Sequence, residues 1–401
     1  MVTDLMDTVT DKVTNSSTEQ TFTDWSANVT YLPTRAIRTV TGEVTSNDDN
    51  HQDSVGWVFD PPAMSTFIFF QVIAAILGVV GNTCVLLATS RWKAKMKSPT
   101  DALVRALAVA DLLTSIMIVP HPYASSVPDT ILGEFYCKVV TSHIFMWTSV
   151  VASILTMTAI SIERYLAISH PFFHRRAVTR KRIRGLIVTI WILAFLLNIN
   201  PLFVEYVDRE SHHCVFRYHR RDLAGKMFYG VIVFVIEFIT PSTIMVITHV
   251  FASRTLNREL LRFDKQTSQS GTQTFGLSAK LVVAKKRNMN SLLIIFMTFL
   301  VCWAPDQIFV LLFNLGIIDH SHLESQAYSY TVLLAFVNSC ANPIIYTIRY
   351  PKFRTAIASM LACCSGKHGM GKDNIPPAMP ATIFSPDMTD NRYKRKGSDN
   401  V

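Results

Sequence analysis

Residues 139–171 read VVTSHIFMWTSVVASILTMTAISIERYLAISHP. The first 24 of them, Val139 to Ile162, contain no Asp, Glu, Lys or Arg. As an α-helix such a run is about 36 Å long, enough to cross the ~30 Å hydrocarbon layer of a bilayer. Glu163 and Arg164 then stand side by side, followed by Tyr165. Charge is costly in mid-membrane and far less so at the membrane surface. The stretch therefore reads as a spanning helix that ends in a charged cluster at the boundary.

Composition extends that reading to the whole chain. Of 401 residues, 49% are hydrophobic and 17% charged, against about 25% charged in soluble domains. Seven apolar segments are long enough to span, near 64–90, 101–122, 137–169, 183–204, 226–251, 288–313 and 326–349. The second, fifth and sixth each carry a carboxylate well inside the span: Asp111, Glu237 and Asp306. Soluble helices are shorter and mostly amphipathic, so the expected fold is an all-α membrane protein, a bundle of seven helices. Lys and Arg mark cytoplasmic loops. They gather at Arg91–Lys97, Arg175–Arg182, Lys285–Arg287 and Arg349–Arg354. The loop 205–226 is basic too, but four inner segments outweigh it. The reading is a multi-pass plasma-membrane protein with its N-terminus outside. The net charge of +9 then reflects topology, and nucleic acid is not an expected partner.

Four regions follow: a polar outer tail (1–62), the spanning domain (63–350), a short amphipathic stretch (351–364) and a polar inner tail (365–401). Up to residue 60 the first tail holds ten acids against three bases, a composition typical of disorder. No apolar leader opens it, so the first span is expected to direct insertion. Asn15 and Asn28 stand in glycosylation tripeptides. Cys137 and Cys214 fall in outside segments, where oxidation is permitted, and are expected to pair. Cys363 and Cys364 follow PKFRTAIASML (351–361), a pattern that suits a helix lying on the inner leaflet of membrane lipids and palmitoylation beside it.

The motifs on the spans, taken in order, resemble the rhodopsin-like class of G-protein-coupled receptors over about residues 64–362. They are Gly81-Asn82, LAVAD ending at Asp111, Glu163-Arg164-Tyr165, Trp191 with Pro201, Pro241, FLVCWAP (299–305) and NPIIY (342–346). The resemblance implies a receptor, not an enzyme, whose partners are an extracellular ligand, a heterotrimeric G protein, arrestin and receptor kinases. It assigns G-protein coupling to Glu163, Arg164, Tyr165 and Tyr346. The activation switch falls to Phe299, Trp303, Pro305, Asn342 and Pro343, the two prolines being natural pivots. Asp111 needs polar partners, and Ser153, Asn338, Ser339 and Asn342 can supply them. In the family this set looks like an allosteric sodium site; a protonated Asp111 held by interhelical hydrogen bonds fits the same residues. No other cofactor is implied. A transporter is the rival class, but no inverted repeat of broken helices is evident.

One departure concerns Cys137 and Arg164, which are two residues further apart than is usual in the family. The insertion turns one end of the third helix by about 200° unless a bulge or longer loop absorbs it. The position that holds an acid in amine receptors is then Ile144 counted from Cys137, or Met146 counted from Arg164. Neither is acidic, which argues against an amine ligand. The seventh segment has no lysine for a retinal Schiff base, with Phe336 at that position. Glu237, Asp306 and Gln307, with Met146 and Phe336, are the candidate ligand pocket. Two carboxylates in a wet outer cavity favour a cationic group, though each also reads as a structural hydrogen-bond partner of a neighbouring helix. NPIIY, CWAPDQ and SIERYLAI resemble the neuropeptide-receptor branch of the galanin, somatostatin and thyrotropin-releasing-hormone kind. A neuropeptide is therefore the expected ligand, with a lipid or other small molecule the alternative.

Inside, some relatives hold the arginine with an acid at the inner end of the sixth helix. Lys285 stands at that position, so no such lock is expected. Lys285→Glu should lower ligand-independent signalling; unchanged basal activity would count against that reading.

Overall fold

The computed structural model describes residues 56–61, 65–91, 99–216, 223–270, 275–318, 322, 325–349, 353–354 and 357–358. Seven long helices build a bundle: α1 (Thr66–Arg91), α2 (Pro99–Met117), α3 (Ile144–Ser169), α4 (Arg180–Leu197), α5 (Thr240–Ser270), α6 (Phe275–Asn314) and α7 (Gln326–Arg349). Six helical stretches are long and apolar enough to cross a membrane. The exception is α2, whose 19 residues include Asp101, Arg105 and Asp111. It packs against α1, α3, α4 and α7, so Asp101 and Asp111 are covered by protein rather than by lipid. By contrast α4 exposes Val188, Ile192 and Leu196, one i, i+4 stripe of the kind that faces acyl chains. The main core runs along the bundle through Val85, Leu107, Ile154, Phe299, Trp303 and Tyr346.

Two small antiparallel sheets decorate one end of the bundle. Strand β1 (Val58–Asp60) pairs with β2 (Tyr123–Ser126), and β3 (Glu205–Val207) pairs with β4 (Cys214–Phe216). Strands this short leave no periodic signal in a sequence. The β3–β4 turn closes on Asp208, whose carboxylate accepts from the Ser211 backbone N–H at 3.0 Å and hydroxyl at 2.6 Å. Cys214 in β4 is disulfide-bonded to Cys137, with a Cα separation of 5.4 Å. Trp57 packs beside this bridge and meets Tyr136 edge-on, with ring centroids 5.2 Å apart.

The two extra residues of the third span are taken up locally. It begins as an α-helix at Ile131–Phe135, widens to a π-helix over Tyr136–Thr141 and breaks before α3 restarts at Ile144. A π-turn holds about one residue more than an α-turn. The break falls at His143, which is left-handed with φ 50°, a conformation that costs a non-glycine residue about 1–3 kcal/mol. Ser142 stitches the gap: its hydroxyl donates to the Lys138 carbonyl at 2.7 Å and accepts from the Ile144 N–H at 3.3 Å. A second π-helix, Val235–Ile239, joins Leu223–Phe234 to α5.

At the other end, Phe353 and Arg354, and Ile357 and Ala358, are helical. Phe353 is fully buried and meets Tyr346 edge-on at 6.3 Å, while Arg354 and Ala358 are exposed. The rest of 351–364 with Cys363 and Cys364, both tails, Asn15, Asn28 and the Lys285 side chain lie outside what is described.

Helix α1 lies close against α7 at Gly81, where an added Cβ would stand 2.8 Å from Pro343 Cβ and 2.9 Å from its Cγ. The ring cannot swing aside. Gly81→Ala is expected to destabilise the bundle by about 1–3 kcal/mol through overpacking, read as a lower unfolding temperature in nanodiscs; an unchanged midpoint would show that α1 and α7 separate freely.

Candidate functional site

Polar and switch residues occupy three levels along the bundle. The outermost is a cavity of about 120 Å³ between α3, the end of α4, the helical segment 223–239 ahead of α5, α6 and α7. Its lining includes Trp147, Glu237, Asp306, Gln307, Asn314 and Tyr328. Glu237 lies in the π-helical turn ahead of α5, and Asp306 is its charged neighbour. Asp306 is 1% exposed. Its Oδ2 is 3.5 Å from Gln307 Nε2, at the edge of hydrogen bonding, and its Oδ1 has no partner. A buried carboxylate in that state is strongly receptive to a donor or cation.

Ile144 also lines this cavity, whereas Met146 and Phe336 do not. Both are buried in a neighbouring apolar cluster with Ile118, Phe313, Tyr328 and Val332. The π-turn and the break at His143 set this rotation, bringing Ile144 and Trp147 to the cavity. Trp147 was not singled out from sequence, because an aromatic in an apolar run has no distinguishing pattern.

The middle level centres on Asp111, fully buried. Its Oδ1 accepts from the Ser153 hydroxyl at 2.7 Å and its Oδ2 from Asn342 Nδ2 at 2.8 Å. Ser339 is buried on α7 three residues before Asn342, and Asn82 donates to the Ser339 carbonyl at 3.0 Å. Asn338 is buried nearby in sequence with its Oδ1 unpartnered. Among the described residues no group of three or more His, Cys, Asp or Glu gathers. A cation here would therefore rest on one carboxylate and neutral Ser and Asn oxygens, a donor set suited to a hard monovalent ion rather than a transition metal. Just outward, Trp303 and Phe299 are buried in the main core, with Phe299 6.1 Å from the Phe238 ring. Pro305 lies inside α6 and Pro343 inside α7.

The innermost level holds Glu163, Arg164 and Tyr346. Glu163 Oε1 accepts from Thr100 of α2 at 2.9 Å and lies 2.8 Å from His174 Nε2. Its Oε2 faces Arg164 Nε at 3.5 Å. Tyr165 points elsewhere, toward His170 at 3.2 Å. Arg164 and Tyr346 line a cavity of about 30 Å³ closed by Met245 of α5 and Leu292, Ile295 and Phe296 of α6. On α5, His249 Nε2 lies 3.4 Å from Ser253 Oγ of the same helix, and its Nδ1 is unpartnered.

Ser153→Ala leaves Asp111 Oδ1 without its donor. The expected loss is about 1–3 kcal/mol, the penalty of an unsatisfied buried acceptor, visible as a lower unfolding temperature. Ser153→Thr keeps the hydroxyl and should recover most of it.

Comparison with known proteins shows the family. Residues 81–346 match the 7 transmembrane receptor (rhodopsin family). The chain is 28% identical over 327 residues to "Rhodopsin, GQ-coupled" of Mizuhopecten yessoensis, covering 78% of this chain and 64% of the relative. It is 29% identical over 304 residues to "Allatostatin-A receptor" of Bombyx mori, covering 74% of this chain and 79% of the relative. The match includes the Asp111 core, Glu163-Arg164-Tyr165 and the NPIIY motif, and the chain belongs to the rhodopsin family of seven-transmembrane receptors.

Proposed function

We propose that the protein is a plasma-membrane receptor, N-terminus outside, that binds a neuropeptide through a cationic group and activates a heterotrimeric G protein. The observation that carries the ligand class is the outer cavity with Glu237 and the under-bonded Asp306 on its wall. A guanidinium or ammonium offers the donors and the charge these carboxylates lack. The likeness to an allatostatin-A receptor supports a peptide. The likeness to a rhodopsin does not carry light sensing across, because α7 contains no lysine.

In this reading ligand binding shifts a two-state equilibrium. Helix α6 pivots at Pro305, the inner cavity opens, and Arg164 leaves Glu163 for the G protein. The Asp111 set would hold a sodium ion when one binds, its charge offsetting the buried carboxylate. Receptor kinases and arrestin act on the inner tail, Cys363 and Cys364 are acylated, and Asn15 and Asn28 are glycosylated.

The test is a peptide library applied to cells carrying a promiscuous Gα reporter. A peptide with an essential Arg, Lys or amino terminus should activate. Glu237→Gln and Asp306→Asn should each weaken its potency about 10–100-fold, the worth of a charge-assisted bond. Silence across peptides with activation by a lipid would overturn the peptide reading.

A further inference from the structure

The start of α4 carries a basic surface that the receptor reading leaves unused. Between Glu163 and Glu205 the chain has no Asp or Glu, while Arg175, Arg176, Arg180, Lys181, Arg182 and Arg184 all fall there. Each of the six is exposed. Three of them fill the first turn of α4, which holds no acid. The partial positive charge of a helix N-terminus disfavours cations and favours an anion. The surface is also held in place: Arg182 Nη1 donates to the carbonyls of Arg176 and Ala177 at 3.2 and 3.1 Å. That ties the end of the short helix Pro171–Ala177 to the start of α4.

Helical spacing sets these charges against the lipid-facing stripe. Val188 and Ile192 are 58% and 56% exposed. Lys181 precedes Val188 by seven residues and Arg184 precedes it by four, while Gly185 precedes Ile192 by seven. All five therefore share one face of α4. Along the axis Lys181 stands about 10 Å and Arg184 about 6 Å from Val188, the step from acyl chains to headgroups. Gly185 lies between Lys181 and Val188 on that face. It is exposed, and a Cβ added to it would meet nothing within 4 Å. Glycine weakens a helix interior relative to alanine, and no neighbour here requires it. Membrane topology accounts for cations at this end but not for the glycine. Its missing side chain leaves a notch beside two cations, directly against the bilayer.

We propose that Lys181, Arg184 and Gly185 form a binding site for the polyphosphorylated headgroup of an anionic lipid, whose acyl chains lie along Val188 and Ile192. The two cations hold the phosphates through charge-assisted hydrogen bonds. Gly185 lets the headgroup approach the helix more closely than any side chain would. The other cations of the surface raise the local potential without touching the lipid. A lipid fits better than a free phosphate because the apolar stripe continues the site toward the bilayer centre. Placing the lipid in the inner leaflet rests on the orientation proposed above; the site itself does not.

Purified full-length receptor in detergent, which has no leaflets, is titrated with a phosphatidylinositol bisphosphate, and bound lipid is counted by native mass spectrometry. Phosphatidylserine and the matching soluble inositol phosphate are the comparison probes. The bisphosphate lipid should bind about tenfold more tightly than either. Lys181→Gln combined with Arg184→Gln should weaken it about 30-fold. Gly185→Leu, which fills the notch and leaves the charge unchanged, should weaken it about tenfold. Arg254→Gln combined with Arg258→Gln removes equal charge from exposed positions of α5 and should change binding less than about twofold. Equal binding of either comparison probe, an equal loss in the α5 variant, or undiminished binding in Gly185→Leu would each overturn the proposal. So would unchanged lipid binding in the Lys181 and Arg184 variant with lost binding to a purified G protein, which would assign the surface to a protein partner. Modification of Arg175→Cys in intact cells by a membrane-impermeant maleimide, above that of the parent, would overturn the orientation and leave the site standing.

Discussion

The bundle is organised by the burial of one carboxylate. Asp111 sits at 0% exposure between three helices, and it is tolerable there only because α3 and α7 bring Ser153 and Asn342 to its two oxygens. That requirement fixes the rotation of α2, α3 and α7 about their axes. Asn82 extends the network to α1 through the Ser339 carbonyl. Four helices thus share a directional polar core. Helix α6 meets the bundle differently. The side chains of Thr298 and Asn314 bond back to their own helix, and its inward face is Phe296, Phe299, Cys302 and Trp303. Apolar contacts are short-ranged but not directional, so this face of α6 does not fix rotation as the Asp111 set fixes that of α2, α3 and α7. The difference follows from where the polar atoms are.

Much of this was legible in the sequence because lipid imposes a coarse rule. Runs without charge must be spans, so the 24 residues ahead of Glu163 and the acids at 111, 237 and 306 stood out. Disulfide pairing followed from which loops lie outside. The Asp111 partners followed from which spans carry Ser and Asn. What could not be read was rotation. The spacing of Cys137 and Arg164 required something to absorb two residues, but a π-turn, a left-handed residue or a longer loop satisfies that count equally. The choice depends on Ser142 reaching the Lys138 carbonyl, a contact with no sequence signature. Ile144 and Met146 were therefore ambiguous. The short strands around the disulfide escaped notice for a related reason: three residues are too few to show alternation.

The irregularities are not spread evenly. Both π-helical turns, Tyr136–Thr141 and Val235–Ile239, lie on the cavity side of α3 and α5, and the left-handed His143 adjoins the first. From Ile144 to Ser169 and from Thr240 to Ser270 the same helices run without interruption. Wide turns sacrifice regular hydrogen bonding and are found mostly where function needs a side chain re-aimed. Here they bring Ile144, Trp147 and Glu237 to one cavity. The outer half gives up helical regularity where the cavity opens; the inner half retains it around Arg164.

Helix α6 connects the two halves through its own spacing. Asp306 and Gln307 line the outer cavity, and Leu292, Ile295 and Phe296 line the inner one. Between them Phe299 and Trp303 follow at helical intervals on the same inward face. From Asp306 to Leu292 is about 21 Å of helix. Pro305 removes one backbone hydrogen bond immediately inward of Asp306, so the helix is weakest where the ligand-facing segment joins the long inner rod. In the function proposed above, a charge drawn toward Asp306 would act on the short outer arm, and the inner arm would respond as a unit because its turns are intact. Residues 292–296 would then leave the wall of the cavity that holds Arg164 and Tyr346. Such coupling needs no chain of successive contacts: one helix, weakened at one residue, carries both walls.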